Sequence, residues 1–121
     1  LSLYKELAKI ENDDDLHSFK NRIIDRFGEV PNESEDLINS VKLKWVARNI
    51  GFEKIVLKNK KMICYFISDK NHEYFKSDIF ISVLKTINKN PGCKLKEKNK
   101  LYVVFDNINS INEALKNLNI F

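Results

Sequence analysis

Apolar residues near the start of the chain recur at i, i+3 and i+4 steps, the spacing of a helical face that packs against a core. This spacing predicts two helices. Their inward residues are Leu3, Leu7 and Ile10 in the first, and Leu16, Phe19, Ile23 and Phe27 in the second. The chain is therefore expected to begin with a helical pair.

Residues that flank the second helix mark its two ends. The acidic run Asp13, Asp14 and Asp15 falls where the helix begins, a position where carboxylates cap free backbone N–H groups and meet the positive end of the helix dipole. A metal site is the alternative for this run, but the spacing of a calcium-binding loop is missing. Gly28 suits the left-handed position after a helix, and Pro31 prevents its continuation.

A third helix is predicted from about residue 33 to residue 50, with Gly51 at its end. The residues expected to point inward from it are Leu37, Val41 and Trp45.

The hydrophobic period changes from helical to alternating after Gly51. Residues 53–58 and 62–67, which Asn59, Lys60 and Lys61 separate, predict a β-hairpin. The second of these strands is apolar on both faces, which is typical of a central strand.

The remaining residues predict a helix, a second hairpin and a closing helix. Residues 77–89 form the first helix, with Ser77 or Asp78 as its cap, and the turn Asn90-Pro91-Gly92 follows it. Residues 93–98 and 101–105 form the hairpin, and residues 110–118 form the last helix. The predicted inward residues are Phe80, Leu84 and Ile87 in the first helix, and Ile111, Leu115 and Leu118 in the last.

Together these elements predict an α+β fold, in which three N-terminal helices are followed by β-β-α-β-β-α and one mainly antiparallel sheet is packed with helices. At 121 residues the chain can bury one sizeable core but is short for two domains. No Pro-, Gly- or Ser-rich stretch divides residues 1–121, so a single domain is expected. The chain starts at Leu1 in the middle of an apolar pattern, which indicates a fragment of a larger protein.

The composition is that of a folded protein in water, with 43% hydrophobic and 31% charged residues. The sequence contains neither a long apolar run nor a secretory leader, so the cytoplasm is the expected location. The net charge is +4, but only Arg22, Arg26 and Arg48 are arginine. A total that consists mostly of lysine is weaker evidence for a nucleic-acid reader than one rich in arginine.

The residues needed for catalysis or cofactor binding are mostly missing from the sequence. The three glycines, Gly28, Gly51 and Gly92, are all used at helix ends or turns, which leaves none for a phosphate-binding loop. Cys64 and Cys93 are far apart in the chain and share no metal-ligand spacing with His17 or His72. We therefore predict no catalytic residues, no cofactor and no metal, and we interpret Cys64 as a core residue.

Lysines dominate the predicted second hairpin, at Lys94, Lys96, Lys98 and Lys100, and recur at Lys58, Lys60 and Lys61. Alternation places Lys94, Lys96 and Lys98 on one strand face, where they could follow a phosphate backbone. The more common explanation is a solvated strand face that discourages edge-to-edge association. A nucleic-acid-binding accessory domain therefore remains the alternative function.

Arg22, Asp25 and Arg26 follow i, i+3 and i+4 spacing on the second helix, and we expect them on the side away from its apolar stripe. An internal Asp–Arg pair on a solvated helix would explain them. Arginine is also enriched at the centres of protein interfaces, so a docking surface explains them equally well.

One segment of the sequence resembles a known family. The residues Asp25-Arg26-Phe27-Gly28, followed by Pro31 and preceded by Leu3-Tyr4-Lys5 and the acidic run, are similar to the C-terminal domain of the bacterial transcription-repair coupling factor, the Mfd translocase. Further residues that fit the sequence pattern of this family are Leu37, Lys42, Ala47, Gly51, Phe52, Lys54 and Ile55. The match is close over residues 1–57 and is mainly one of element order over residues 58–121.

This resemblance implies a non-catalytic regulatory domain of an ATP-driven DNA translocase that removes stalled RNA polymerase and recruits UvrA. In that family the C-terminal domain docks on the N-terminal UvrB-like module of the same chain, covers the UvrA-binding surface and restrains the motor. Asp25 and Arg26 match the family's docking positions. Arg22 differs, because the family commonly has Glu there.

Overall fold

The computed structural model describes residues 2–121, with the side chains of residues 2–4 and 33 outside the described part. The helices are α1 (Ser2–Ala8), α2 (Asp13–Phe27), α3 (Asn32–Ile50), α4 (Asp78–Lys89) and α5 (Ile111–Leu118). The strands are β1 (Phe52–Lys58), β2 (Lys61–Phe66), β3 (Cys93–Lys98) and β4 (Lys100–Asp106). The predicted α+β class and element order are confirmed. A short 3₁₀ helix at Glu73–Lys76 was not predicted.

The chain forms two compact units, Leu1–Trp45 and Val46–Phe121. The boundary falls within α3. In the first unit the helical stripes bury Leu7, Ile10, Leu16, Phe19 and Ile23 as predicted, while Leu3 lies outside the described side chains.

The start of α2 shows why the acidic run is there. Asn12 is the N-cap residue; its Oδ1 accepts the backbone N–H of Asp15 at 2.8 Å, and its Nδ2 donates to Asp15 Oδ2 at 3.0 Å. Asp13, Asp14 and Asp15 fill the first turn, where negative charge is favourable. The helix ends at Gly28, whose φ of 85° is in the left-handed region as predicted.

Two residues predicted to be buried in this unit are exposed. Phe27 is 59% exposed, because it is the last residue of α2 and the backbone turns away at Gly28. Leu37 is 37% exposed, and the inward residue of that turn of α3 is Ile38. Val41 is half-buried and Trp45 is buried.

A four-stranded antiparallel sheet in the order β1-β2-β4-β3 forms the centre of the second unit. The central position predicted for the strand at 62–67 is confirmed by β2. Asn59 and Lys60 connect β1 to β2 with φ values of 54° and 61°, both positive as in a type I′ hairpin turn. The Lys60 carbonyl accepts the Ile108 N–H at 2.9 Å, which joins this turn to the segment before α5.

One face of the sheet carries the core of the second unit. Its buried residues are Phe52, Met62, Cys64, Phe66, Cys93, Val103 and Phe105. Phe66 contacts Phe80 of α4, and Phe105 contacts Phe121 beyond α5.

The helices of this unit turn slightly from their predicted orientation. In α4 the buried residues are Val83 and Ile87, while Phe80 and Leu84 are half-buried. In α5 they are Ala114 and Leu118, while Ile111 and Leu115 are half-buried. The caps Ser77 and Ser110 are where the sequence places the helix starts.

Within residues 2–121, none of the helices is long and apolar enough to cross a lipid bilayer.

Candidate interaction site

Three polar side chains of α2, Arg22, Asp25 and Arg26, form what we call the α2 patch. All three are exposed, as predicted. They line a shallow cleft of about 290 Å³ together with Phe19 of α2 and Glu6 of α1. Because Phe19 belongs to the buried stripe of α2, the patch lies beside this stripe and not directly opposite it.

Arg22 is held by two neighbours in the first unit. Its Nη1 lies 3.5 Å from Glu6 Oε2, and its Cζ lies 5.8 Å from the centre of the Phe19 ring. The Arg22 and Glu6 side chains are 60% and 48% exposed, so the ion pair itself adds little to stability. The contact of the guanidinium group with the ring is a weak cation–π attraction at such an exposed site.

Asp25 and Arg26 are in a different situation. Among the described side chains, the ion pairs involve Arg22, Lys42 and Lys61, and neither Asp25 nor Arg26 takes part in one. The internal Asp–Arg pair that would have explained the spacing is therefore not formed, since Arg22 bonds to Glu6 of α1. The patch presents a carboxylate and a guanidinium group side by side, both available to a partner.

Two apolar residues of α2 are also exposed, Ile24 at 44% and Phe27 at 59%. Sequence reasoning assigned Phe27 to the core and did not consider Ile24. The signal for Ile24 was present, because it falls outside the i, i+3, i+4 stripe of the helix.

The lysine-rich strand lies at an edge of the sheet, since β3 pairs with β4 alone. Cys93 is the buried residue of β3, and the residues from Lys94 to Lys98 are all exposed. An edge position agrees with the expected role of these lysines in preventing edge-to-edge association.

The cysteines and histidines do not meet in the described part of the chain. Cys64 and Cys93 are buried as free thiols, and burial raises the pKa of both, which makes them poor nucleophiles. His17 is exposed, and His72 Nδ1 accepts the Tyr74 N–H at 3.1 Å. Among the described residues, no group of three His, Cys, Asp or Glu side chains is placed to hold a metal ion.

The chain is similar to known proteins of one family. A family model described as the TRCF domain matches residues 1–77. Transcription-repair-coupling factors that resemble the chain include that of Rickettsia bellii, 27% identical over 105 residues that cover 86% of this chain and 9% of the relative. That of Escherichia coli is 32% identical over 72 residues, covering 60% of this chain and 6% of the relative. That of Staphylococcus epidermidis is 37% identical over 62 residues, covering 51% and 5%.

A solved structure has the same fold. The crystal structure of a C-terminal domain of transcription-repair coupling factor superposes with a TM-score of 0.77 at 23% identity, over 98% of this chain and 73% of that one. The chain spans at most 9% of the curated relatives named above. Because the family model covers more than half of the residues, the chain belongs to the TRCF domain family.

Proposed function

We propose that this chain is a non-catalytic regulatory domain of a transcription-repair coupling factor, and that it acts by docking on the N-terminal UvrB-like module of the same protein. Docking masks the UvrA-binding surface and restrains the ATP-driven DNA translocase until RNA polymerase is engaged. The observation that carries the proposal is that Asp25 and Arg26 are exposed and form no ion pair with another described side chain. The resemblance matches these two residues to the family's docking positions.

The chemistry of the α2 patch suits a protein partner. Arginine and large apolar side chains are the groups that contribute most at protein interfaces, and Arg26 and Phe27 provide both at the end of one helix. Phe27 is 59% exposed, so a partner that covers its ring gains apolar contact in addition to the charge pairs.

Arg22 has a different role in this proposal. It is already bonded to Glu6 and lies over Phe19, so it forms one wall of the cleft and is less available to a partner. The Glu that the family commonly has at this position would face basic residues of the UvrB-like module. We therefore assign direct docking to Asp25 and Arg26 and the shape of the surface to Arg22.

A polar patch of moderate size is suited to a contact that must open. Two modules of one chain meet at a high effective concentration, so a contact that is weak between separate molecules can still be mostly closed. A competitor that binds the same surface then shifts the population with a difference of a few kcal/mol.

The test is a titration of the domain with the separately produced UvrB-like module of the same protein, at low and at moderate salt. We expect saturable, salt-sensitive binding that Asp25→Ala with Arg26→Ala weakens by tenfold or more. Asp36→Ala with Lys44→Ala is the matched control, since it also removes one acid and one base that are exposed on a helix of the first unit. Equal weakening by both pairs, or no binding at low salt, would overturn the proposal.

A further inference from the structure

The sheet face away from the core of the second unit is basic and carries two tyrosines. Alternation and pairing place three cross-strand rows on it. The first row is Val56, Ile63, Val104 and Lys94; the second is Lys54, Tyr65, Tyr102 and Lys96; and the third is Lys58, Lys61 and Asp106. We call this surface the open face. The apolar and tyrosine side chains in these rows are all half-exposed, whereas the core-facing residues Met62, Cys64 and Val103 are fully buried.

The two tyrosines lie at the centre of the open face. Tyr65 and Tyr102 are cross-strand partners on the inner strands, with ring centres 5.6 Å apart and planes inclined at 44°. Lys54 Nζ lies 6.0 Å from the centre of the Tyr65 ring. The rings are thus fixed against each other by strand pairing and remain accessible.

Lysines surround these rings. Lys54 and Lys58 come from β1, Lys61 from β2, and Lys94, Lys96 and Lys98 from β3 by alternation, with Lys98 opposite Lys100. The acids nearby are largely engaged. Asp106 bonds to Lys61 at 3.7 Å, and Glu53, at the irregularity of β1, accepts the Ser68 N–H at 2.7 Å.

From this arrangement we infer that the open face binds single-stranded nucleic acid, with bases stacked on Tyr65 and Tyr102 and phosphates bound by Lys54, Lys94 and Lys96. Aromatic side chains on a sheet stack unpaired bases without demanding a sequence, and a surrounding basic surface binds the backbone. A duplex would use the lysines but not the rings, because its bases are already stacked. An acidic protein would likewise pair with the lysines, but it would not account for the two exposed tyrosine rings at the centre of the face.

The inference does not depend on the docking proposal, because its residues lie in the second unit and the α2 patch lies in the first. It changes the interpretation of Lys94 and Lys96. The sequence showed these lysines on one strand face, but only the strand order β1-β2-β4-β3 brings Tyr65 and Tyr102 into the same row.

The experiment measures fluorescence anisotropy of labelled oligothymidine, oligouridine and a DNA duplex of matched length with the 121-residue chain at several salt concentrations. We expect oligothymidine or oligouridine to bind more tightly than the duplex, and comparison of the two shows whether DNA or RNA is preferred. Lys94→Gln with Lys96→Gln should lower the slope of log affinity against log salt by about 1.4, the value for two lost phosphate contacts on a single strand.

The tyrosines are tested with Tyr65→Ile and Tyr102→Ile, since β-branched residues keep the strand preference and remove the ring. Each should weaken single-strand binding by roughly tenfold, with the circular dichroism spectrum unchanged. The control is Lys85→Gln with Lys89→Gln, which removes the same charge from α4, and it should leave binding nearly as in the parent chain.

Several results would overturn the inference: no single-strand binding at low salt, an equal loss in the α4 control, full binding after removal of both rings, or binding of polyglutamate as tight as that of the oligonucleotides. If an isoleucine variant unfolds, Tyr65→Leu and Tyr102→Leu replace the pair and the same criteria apply.

Discussion

Tyr74 lies against Gly51, and its hydroxyl donates a 2.6 Å hydrogen bond to the carbonyl of Ile50, the preceding residue. The ring occupies the space that a side chain at position 51 would need. Gly51 also has a φ of 119°, a conformation that other residues rarely adopt. The end of α3 and the start of β1 are therefore held by a contact that only glycine permits.

Alanine substitutions at the three glycines separate the effect of backbone strain from the effect of overlap with the Tyr74 ring. Gly51→Ala should lower the free energy of unfolding by more than about 2 kcal/mol, since it adds overlap with Tyr74 to backbone strain. Gly28→Ala has a φ of 85° but open space around it, so it should cost about 1 kcal/mol. Gly92→Ala has neither problem and should change stability by less than about 0.5 kcal/mol. Urea titrations followed by circular dichroism give the three values, and a Gly51→Ala cost no larger than that of Gly28→Ala would show that Tyr74 moves away freely.

The Tyr74 hydroxyl should make stability depend on pH in the alkaline range. Burial raises its pKa from 10.0 to about 12. The unfolded chain therefore ionises first, so the contribution of Tyr74 is complete below pH 10 and is lost as the pH rises from 10 towards 12.

Tyr74→Phe tests this dependence. At pH 8 the variant should be less stable by about 1 kcal/mol, because the Ile50 carbonyl loses its donor. The difference from the parent chain should narrow or reverse between pH 10 and 12. A difference that stays constant over this range would mean that the hydroxyl ionises equally easily in both states.

Two phenylalanines of α2 provide a direct contrast between core and surface. Phe19 is 2% exposed and Phe27 is 59% exposed. Phe19→Ala should lower the free energy of unfolding by about 3–5 kcal/mol, whereas Phe27→Ala should change it by less than about 1 kcal/mol. Thermal melts of the two variants check this, and a large loss for Phe27→Ala would mean that its ring is covered in solution.

In the full-length protein, the α2 patch should affect regulation without affecting folding. Asp25→Ala with Arg26→Ala should raise both UvrA binding and the basal ATPase rate, because under the docking proposal the closed state alone uses these contacts. The melting temperature should stay the same. A variant that melts normally and matches the parent in both assays would show that the patch is only a solvated helix face.

The thiols of Cys64 and Cys93 should be unreactive in the folded chain. Cys64 and Cys93 are buried, and burial raises the pKa of each, so the reactive thiolate is scarce and inaccessible. A chromogenic disulfide reagent should react slowly in buffer and rapidly with both thiols in concentrated urea. Prompt reaction of two thiols without denaturant would contradict the described packing.

Much of the fold could be predicted because it depends on local patterns. Helix starts at Ser77 and Ser110, the stop at Gly28 and the left-handed turn residue Asn59 all follow from the preferences of single residues for particular backbone conformations. Even Phe27 was assigned to the correct helix. Its burial was wrong because burial depends on what lies beyond the end of the helix, which periodicity does not describe.

The candidate surfaces were predictable to different extents. The α2 patch comes from one helix, so spacing alone was enough to predict that Arg22, Asp25 and Arg26 are exposed together, but not whether they bind a partner. The contact between Arg22 and Glu6 joins two helices and could not be inferred. The open face combines residues from all four strands, and neither the strand order nor the register is given by the alternation of any single strand.

The strand order β1-β2-β4-β3 also has a consequence for synthesis of the chain. β2 follows β1 directly, but its other edge pairs with β4, which comes after α4 and β3. The donor to the Lys60 carbonyl, the Ile108 N–H, is synthesised later still. As the chain leaves the ribosome, β2 therefore emerges with one edge unpaired until β4 has followed. Pairing between such distant segments forms slowly and exposes apolar strands meanwhile, so the second unit should fold only once Lys100–Asp106 is free of the ribosomal tunnel.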